Sequence, residues 1–355
     1  MRMTSWCWAT AETGVDNPRD GTQRGTVIAS IAFRNFKALR STHVALTPFN
    51  LVIGPNGSGK TSLMEAMQRL RTLSKLPLSD AASGAQQAGG PEIEFRFAAP
   101  HDGIVARMGC VSDVQCDTLR IEPAGAPGWP ALCAEIGTIR VHVLDHRAMA
   151  EPAKRSEGTR LSADGGNLAA VLFQLRTSAP EAFAALTADL LRILPEFRAI
   201  ELVEIGDEGI ALSLRLAEDG LVPATGLSQG ILYLLGVLAL AFDPEPPRVL
   251  GIEEPDRGIH PRMLREIRDA LYRLSYPEAS GSKRRAVQIV TTTHSPYFID
   301  LFREHPEEIV ISQKKGRAAV FERLSDRGDL AELLRDGSLG DMWFSGILGG
   351  VPEER

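Results

Sequence analysis

The periodicity of apolar and polar positions changes several times along this chain, and each change predicts a different element of secondary structure. Strict alternation over 93–97 is typical of a half-buried strand, whereas leucines at helical spacing over 166–193 predict helices. Short apolar runs without alternation, at 49–53 and 249–252, are typical of strands buried on both faces. The predicted strands are 28–36, 37–48, 49–53, 93–97, 104–111, 117–122, 138–144, 199–204, 210–216, 249–252, 287–292, 309–312 and 318–323. The predicted helices are 59–74, a helical region over 166–193, 228–242, 261–275 and a short helix after 327, and 77–91 is a predicted loop.

The order of these elements predicts an α/β core that is assembled from both ends of the chain. We expect a single domain over 27–351, with core segments 27–75 and 225–325 and a lobe of strands and helices, 76–224, inserted between them. No long heptad run is present, so no coiled-coil arm is expected. The first 26 residues have no clear period and lack the basic start and apolar core of a secretory signal, so 1–26 is interpreted as a disordered extension.

The strand at 49–53 leads into a complete phosphate-binding pattern, G-x-x-x-x-G-K-[ST]. A helical pattern follows it, and the combination of strand, glycine-rich loop and helix lets backbone N–H groups hold phosphate oxygens. Lys60 would reach the β- and γ-phosphates, and the Thr61 hydroxyl would take one Mg²⁺ position. The pattern consists of Gly54, Pro55, Asn56, Gly57, Ser58, Gly59, Lys60 and Thr61.

Three further motifs lie at the ends of apolar segments. The strand at 249–252 ends in Glu253, which suits Mg²⁺, and Glu254, which is placed to polarise an attacking water; the alternative is an acidic pair on the surface. Ser228 begins an apolar helix in a Leu-Ser-x-Gly sequence, where it either binds an anion or acts only as a helix N-cap. His294 follows another apolar strand, in a place where it either reaches a γ-phosphate or has a structural role.

Composition and charge narrow the class of protein. The 355 residues are 44% hydrophobic, as in globular proteins, and no uncharged apolar run of about 18 residues is present, so no membrane span is predicted. The net charge of −6 does not favour wholesale wrapping of nucleic acid, although it leaves room for one basic face. The basic clusters at 283–285 and 314–317 are better explained as solvated loops.

The cysteines do not indicate a metal site. Cys7, Cys110, Cys116 and Cys133 lack the spacing of metal ligands, and no histidine pair accompanies them. We therefore expect reduced thiols in a cytoplasmic protein.

The order of the motifs resembles that of ABC-type ATPase heads: phosphate loop, Leu-Ser-x-Gly, strand-end glutamates and strand-end histidine. Within that class the chain is similar to the SMC/RecF-like group of P-loop ATPases, labelled AAA-type, which includes the ATPase part of OLD-family nucleases. The resemblance extends to residues 31–39, 253–261, 339–344 and 349–350 and spans 26 to 351. It implies an α/β P-loop NTPase fold with an ABC-ATPase-like head, an inserted lobe and no coiled-coil arm.

The resemblance also implies a role for each matching residue within one subunit. Gly54 through Thr61 bind the triphosphate of ATP, and Thr61 and Glu253 hold Mg²⁺. Glu254 activates water and His294 senses the γ-phosphate. Asn35 and Lys37 approach the nucleotide.

Other roles implied by the resemblance involve a second subunit. Ser228 and Gly230 bind the γ-phosphate of the ATP held by the other subunit, and Asp256 lies at the seam of the dimer. Two positions depart from the pattern of the group. Glu253 stands where Asp is usual, which leaves open whether it holds Mg²⁺ directly or through water, and Ile231 stands where Gln usually follows Leu-Ser-x-Gly.

A further glutamine of the group, in the Q-loop, is not identified. Gln86 and Gln87 lie in a loop of the wrong kind, and 145–147 has a plausible position along the chain but no Gln.

The function implied is that of a cytoplasmic ATPase that dimerises head to tail around two ATP molecules and serves as a switch. Its output would lie in DNA repair, in phage defence or in an effector protein encoded nearby. One alternative is a RecF-like clamp in which the closed dimer grips DNA. Another is a module that holds ATP without turnover and restrains a toxin or effector. A transporter subunit fits least, because no signal of a membrane partner is present.

Overall fold

The computed structural model describes residues 25–76, 90–316 and 318–349, so nearly all of the predicted extension over 1–26 and most of the loop over 77–91 lie outside it. The strands are β1 (Ile28–Phe36), β2 (Leu39–Ala45), β3 (Phe49–Ile53), β4 (Glu92–Phe97), β5 (Val105–Cys110), β6 (Cys116–Glu122), β7 (Arg140–Val143), β8 (Ala153–Lys154), β9 (Phe197–Ile205), β10 (Gly209–Leu216), β11 (Leu221–Pro223), β12 (Val249–Glu253), β13 (Gln288–Thr293), β14 (Ile309–Lys315) and β15 (Ala318–Arg323). The helices are α1 (Lys60–Ser74), α2 (Trp129–Ile136), α3 (His146–Ala150), α4 (Leu168–Ser178), α5 (Pro180–Ile193), α6 (Gln229–Ala241), α7 (Leu264–Ser275), α8 (Pro296–Asp300), α9 (Leu330–Asp336) and α10 (Leu339–Phe344).

A six-stranded sheet in the order β15-β14-β3-β13-β12-β7 forms the core. Its strands are parallel except β15, which returns antiparallel to β14. All five residues of β3 are buried, as its apolar run predicted, because helices or a second sheet cover both faces. The carboxyl ends of β3, β12 and β13 therefore meet at one edge of the sheet, which is the usual place for a ligand site in such folds.

A five-stranded antiparallel sheet in the order β2-β1-β4-β5-β6 packs against helix α1. Register pairs such as Ile31 with Phe95 place the predicted alternating apolar residues on one face. Leu63 and Met67 of α1 belong to the same buried cluster, so α1 is held between this sheet and the core sheet.

A third sheet, of strands β8 to β11, is covered by α4 and α5. Both helices also contact α6. The strands of the predicted insertion 76–224 are thus distributed over all three sheets: β4, β5 and β6 extend the sheet of β1, and β7 pairs with β12. The division into core and inserted lobe stays a prediction.

All the predicted strands are present within a few residues of their expected bounds. Helices α2, α3 and α8 and the two short strands β8 and β11 were not predicted, and the C-terminal region holds two short helices instead of one. The unpredicted helices have five to eight residues, too few to establish a helical period, and β8 and β11 are shorter than the runs that identified strands such as β3 and β4. Among the described helices the longest has 15 residues, so none forms a coiled-coil arm, and none is long and apolar enough to cross a membrane.

The expectation of reduced thiols is wrong for one pair of cysteines. Cys110 and Cys116 face each other at the end of the β5–β6 hairpin and form a disulfide. Their spacing was judged only as a metal pattern, whereas a hairpin brings such residues into register opposite each other. Cys133 is a free thiol.

Candidate functional site

The phosphate loop connects β3 to α1, as predicted. Gly54, Gly57 and Gly59 adopt positive φ values of 151°, 74° and 101°, which glycine tolerates best. A Cβ atom at Gly54 would lie 2.1 Å from the carbonyl oxygen of Ser312, so only glycine fits there. The Ser312 hydroxyl donates a hydrogen bond of 2.6 Å to the carbonyl of Ser58. Strand β14 therefore fixes the loop from the side.

Lys60 is folded back into the phosphate loop. Its Nζ donates to the carbonyl oxygens of Gly54 at 2.7 Å and Pro55 at 3.0 Å. Burial lowers the pKa of Lys60 from 10.5 to about 8, and the nearby charges of Glu254 and Glu253 oppose the shift. The ammonium group of Lys60 therefore lies in the centre of the loop, where it can bind an anion.

A cleft of about 280 Å³ opens beside the loop and collects the motifs from distant parts of the sequence. The phosphate loop forms one wall, and the ends of β12 and β13 form the other. The lining residues are Lys37, Ala38, Asn56, Gly57, Gly59, Lys60, Thr61, Ser62, Glu253, Glu254, Thr292 and His294. Most of the predicted one-subunit site is therefore in one place.

Thr61 and Glu253 face each other across this cleft. The Thr61 hydroxyl donates to Oε2 of Glu253 at 3.4 Å. Burial raises the pKa of the Glu253 carboxyl. Adjacent ligands of an octahedral Mg²⁺ at its usual oxygen distance lie about 3 Å apart, so this hydroxyl and carboxylate fit one such ion. The longer side chain of Glu253, compared with the usual Asp, still reaches the threonine.

Glu254 has a strained backbone next to the cleft. Its φ of 46° is uncommon for a residue with a side chain and costs free energy that the surrounding contacts must offset. The Glu254 amide donates to the carbonyl of Thr292 at 3.2 Å, which ties the strained turn to β13. Oε1 of Glu254 lies 3.7 Å from Nε2 of His294. Burial, followed by the charge of Lys60, lowers the pKa of His294, so its imidazole is neutral near pH 7.

Ser228 and Gly230 lie apart from the residues that line the cleft. Ser228 is exposed at the start of α6, where its hydroxyl accepts a hydrogen bond of 3.4 Å from the amide of Ile231. Ser228 therefore acts as the N-cap of helix α6. Gly230 is buried, and a Cβ there would lie 2.6 Å from the carbonyl oxygen of Gly258. This glycine allows α6 to approach the turn that follows Glu254.

Asp256 is buried within its own subunit, and its place at a dimer seam stays a prediction. Its side chain is only 6% exposed, and its Oδ2 accepts a hydrogen bond of 2.7 Å from the hydroxyl of Thr293. Burial raises the pKa of Asp256 to about 6. The motif located the turn but carried no information on which of its side chains point inward. In the same turn, Arg257 and Gly258 are exposed.

Lys37 lines the cleft, and its approach to a nucleotide stays a prediction. Its Nζ lies 2.5 Å from Oε2 of Glu65, so it is paired with a residue of α1. Asn35 is not among the residues that line the cleft. Both residues have positive φ values, 51° for Asn35 near the end of β1 and 53° for Lys37 in the tight turn that leads to β2.

Two contributors to the site were not predicted as such from the sequence, although Trp343 lies in the segment 339–344 that resembles the SMC/RecF-like group. Ser312 lies on a strand that carries no motif, and Trp343 belongs to a short C-terminal helix. The Trp343 ring packs against the His294 ring, with centroids 6.0 Å apart. Such contacts depend on which distant segments of the chain pack together, and a local sequence pattern does not predict this packing.

The segment proposed for the missing Q-loop follows β7, at the edge of the core sheet next to β12. The hydroxyl of Tyr233 in α6 donates to the carbonyl of Leu144 at 2.8 Å. The segment after β7 therefore connects the strand beside Glu253 to the helix that Ser228 begins. No glutamine is present in it.

Comparison with known proteins is in line with this geometry. A family model described as "AAA domain, putative AbiEii toxin, Type IV TA system" matches residues 115–300, and a second, "AAA ATPase domain", matches residues 27–106. No curated protein matches the chain.

Among solved structures, an SMC head bound to the C-terminal winged-helix domain of ScpA aligns with a TM-score of 0.54 at 13% identity, covering 83% of this chain and 97% of the other. An Smc head with an extended coiled coil, bound to the C-terminal domain of ScpA derived from Pyrococcus furiosus, gives 0.53 at 13%, covering 88% and 100%. At this identity the likeness shows the fold alone. The first family model covers more than half of the chain, so the protein belongs to that AAA family and has the P-loop ATPase fold of SMC heads, as the resemblance to the SMC/RecF-like group predicted.

Proposed function

We propose that this protein binds ATP with Mg²⁺ and hydrolyses it, and that the cycle serves as a conformational switch. The convergence of Lys60, the Thr61–Glu253 pair and the Glu254–His294 pair on one cleft carries the proposal. Phosphoryl transfer needs positioning and electrostatic stabilisation more than covalent chemistry, and these residues supply both.

Within one subunit, each residue of the site has its own proposed role. Backbone amides of 54–61 and the ammonium group of Lys60 bind the β- and γ-phosphates, for which the Lys60 Nζ leaves the carbonyls of its own loop. Thr61 and Glu253 hold Mg²⁺, which when bound neutralises charge on the phosphate oxygens. Glu254 accepts the proton of the attacking water, and the neutral His294 orients that water or donates a hydrogen bond to the γ-phosphate.

The proposed site is completed by a second copy of the chain. Ser228 is exposed and does not line the cleft of its own subunit. In a head-to-tail dimer with two ATP molecules between the subunits, Ser228 and the backbone at Gly230 would face the γ-phosphate bound by the partner. The turn of Asp256 would lie at the seam, with exposed Arg257 in place of the buried carboxylate. The domain that dimerises is proposed to be the single unit over 27–351.

The output of the switch is proposed to be control of an effector encoded nearby, in phage defence or DNA repair, in the cytoplasm. The words "Type IV TA system" in the family description favour an effector partner. They also support the second candidate, a module that holds ATP without turnover and restrains a toxin. The RecF-like clamp has weaker support, because Arg284 donates to backbone carbonyls and Arg285 pairs with Glu135, which leaves the cluster at 283–285 less free for phosphates.

Glu254→Gln tests the proposal. Removing the base should lower the hydrolysis rate by about 10²–10⁴-fold and leave ATP binding intact. Light scattering should then find a dimer that persists only with ATP. Glu196→Gln, a change at an exposed glutamate outside the cleft, is the control and should match the wild type.

Each alternative predicts a different result in the same preparation. ATP-strengthened, salt-sensitive retention on duplex DNA would favour the clamp. Tight ATP binding without turnover in the wild type, together with a copurifying partner, would favour the restraining module. A monomer in every condition, including Glu254→Gln with ATP, would contradict the composite site.

A further inference from the structure

The C-terminal helix α10 packs directly against the segment that begins with His294. The amide of Gly340 donates to Oδ1 of Asp300 at 2.9 Å, and a Cβ at Gly340 would lie 2.4 Å from the carbonyl oxygen of Pro296. The guanidinium of Arg303 donates to the carbonyls of Leu334 and Gly337 and so holds the chain that leads into α10. The C-terminal region is thus joined to α8 and the turn after it by side-chain hydrogen bonds and by close backbone packing at Gly340.

Trp343 uses this close packing to contact the histidine. Its side chain is 7% exposed, and its ring meets the imidazole of His294 at an angle of 62°, an edge-to-face arrangement. The indole Nε1 is buried and has no hydrogen-bond partner in the described parts of the chain. A buried, unpaired N–H group costs free energy that a phenylalanine or leucine would not. Filling space in the core therefore does not by itself account for a tryptophan at this position.

The imidazole of His294 consequently has two neighbours. The indole of Trp343 packs against the ring, and Oε1 of Glu254, which also lines the cleft, lies 3.7 Å from Nε2. Trp343 itself does not line the cleft, so any effect it has on the reaction must pass through its neighbours.

We propose that Trp343 is a positioning residue for His294, through which the C-terminal helix sets the rate of ATP hydrolysis. This inference rests on the proposed function of His294. Loss of the indole would let the imidazole turn away from Glu254 and from the γ-phosphate. Because small displacements at a reacting centre cost large factors in rate, the hydrolysis step should suffer while ATP binding should not.

The variants Trp343→Leu and Trp343→Phe test the inference. We expect Trp343→Leu to lower kcat about tenfold with ATP affinity unchanged within about twofold, and Trp343→Phe, which keeps an aromatic edge, to recover most of the loss. Trp129→Leu is the matched control: Trp129 is 8% exposed but packs in the other core cluster, with α2. Met342→Ala weakens the packing of α10 without removing the indole and controls for general loosening of that helix.

A double-mutant cycle separates positioning from stability. In a His294→Ala background Trp343→Leu should lower kcat no further, since its effect passes through the imidazole. Additive losses, or equal losses in Trp129→Leu or Met342→Ala, would overturn the inference. Failure of the proposed function is distinguishable, because His294→Ala would then leave hydrolysis unchanged or the wild type would not hydrolyse ATP.

A measurement on the nucleotide-free protein tests the contact between Trp343 and His294 whether or not the proposed function holds. With isotope-labelled histidine, the side-chain resonance of His294, assigned by its loss in His294→Ala, should shift in Trp343→Leu because the ring current of the indole is removed. It should keep its position in Trp129→Leu. An unchanged His294 resonance in Trp343→Leu would show that the indole does not hold the ring and would overturn the inference.

Discussion

Lys60 is the residue of the site whose charge the fold changes most. Its pKa is lowered to about 8 by burial, compared with 10.5 for the ordinary side chain. Between these two values the unfolded chain holds a proton that the folded, nucleotide-free protein has released. The contribution of Lys60 to the free energy of unfolding therefore rises with pH in this window and is constant below it.

Binding of ATP should reverse this release of the proton. Phosphate oxygens favour the ammonium form, so we expect ATP binding at pH 9 to take up nearly one proton per site at Lys60 and to take up much less at pH 7.5. Calorimetric titration in buffers of different ionisation enthalpy measures this uptake. Equal uptake at the two pH values would contradict the buried position of the lysine.

Single residues also show how far the sequence could predict the site. The phosphate loop, Glu253, Glu254 and His294 were predictable because each stands at or directly after the end of a strand, and strand ends in a parallel sheet converge. The orientation of Asp256 could not be predicted, because one turn can place the same side chain inward or outward. The contacts of Ser312 and Trp343 could not be predicted either, because they join segments that are distant in the chain.

Strand β14 has a role in the phosphate loop that its own pattern did not indicate. Ser312→Ala would leave the buried carbonyl of Ser58 without its 2.6 Å hydrogen bond. We expect a loss of about 1–3 kcal/mol in the free energy of unfolding, together with weaker ATP binding, because the loop would move. Denaturant unfolding and ATP titration measure the two effects. Ser178→Ala, at an exposed position on α4, is the control and should change neither.

Helix α6 offers a comparison of two glycines within one element. Gly230→Ala would push a Cβ against the carbonyl oxygen of Gly258 at 2.6 Å, and a backbone atom cannot move aside easily. Gly236→Ala would meet the terminal methyl of Met149 at 2.8 Å, which can rotate away.

We therefore expect Gly230→Ala to cost about 1–3 kcal/mol of stability in the nucleotide-free protein. Gly236→Ala should lie within about 1 kcal/mol of the wild type, since alanine also favours the helix. Thermal unfolding of the two variants decides between these outcomes. If Gly230→Ala melted at the wild-type temperature, this glycine would be needed only for binding the nucleotide held by the partner subunit.

At the level of elements, the pattern of apolar positions predicted most strands and the longer helices, but it missed α2, α3, α8, β8 and β11, which have two to eight residues. The pattern also could not predict which strands pair with one another. Since β4, β5, β6 and β7 join the sheets of the predicted core, we propose a narrower insertion that begins after β7 and consists of the β8–β11 sheet with α4 and α5.

For the whole molecule, the proposed composite site predicts complementation between two inactive variants. Lys60→Ala disables the phosphate loop, and Ser228→Arg disables the face offered to the partner. In a mixed dimer one of the two sites combines an intact loop with an intact Ser228. An equal mixture should therefore recover about a quarter of the wild-type ATPase rate if subunits exchange freely in a twofold dimer. Steady-state hydrolysis measures it, and no recovery would mean that each chain works alone.

The position of β3 between β13 and β14 also has a consequence for how the protein is made. β3 and the phosphate loop leave the ribosome long before either neighbouring strand has been synthesised. At usual elongation speeds this interval lasts on the order of tens of seconds, during which an apolar strand has two open edges. The nascent chain would present there the kind of surface that chaperones and aggregates both recognise. Slow translation of the middle of the message should therefore reduce the yield of folded protein more than slow translation of its last codons.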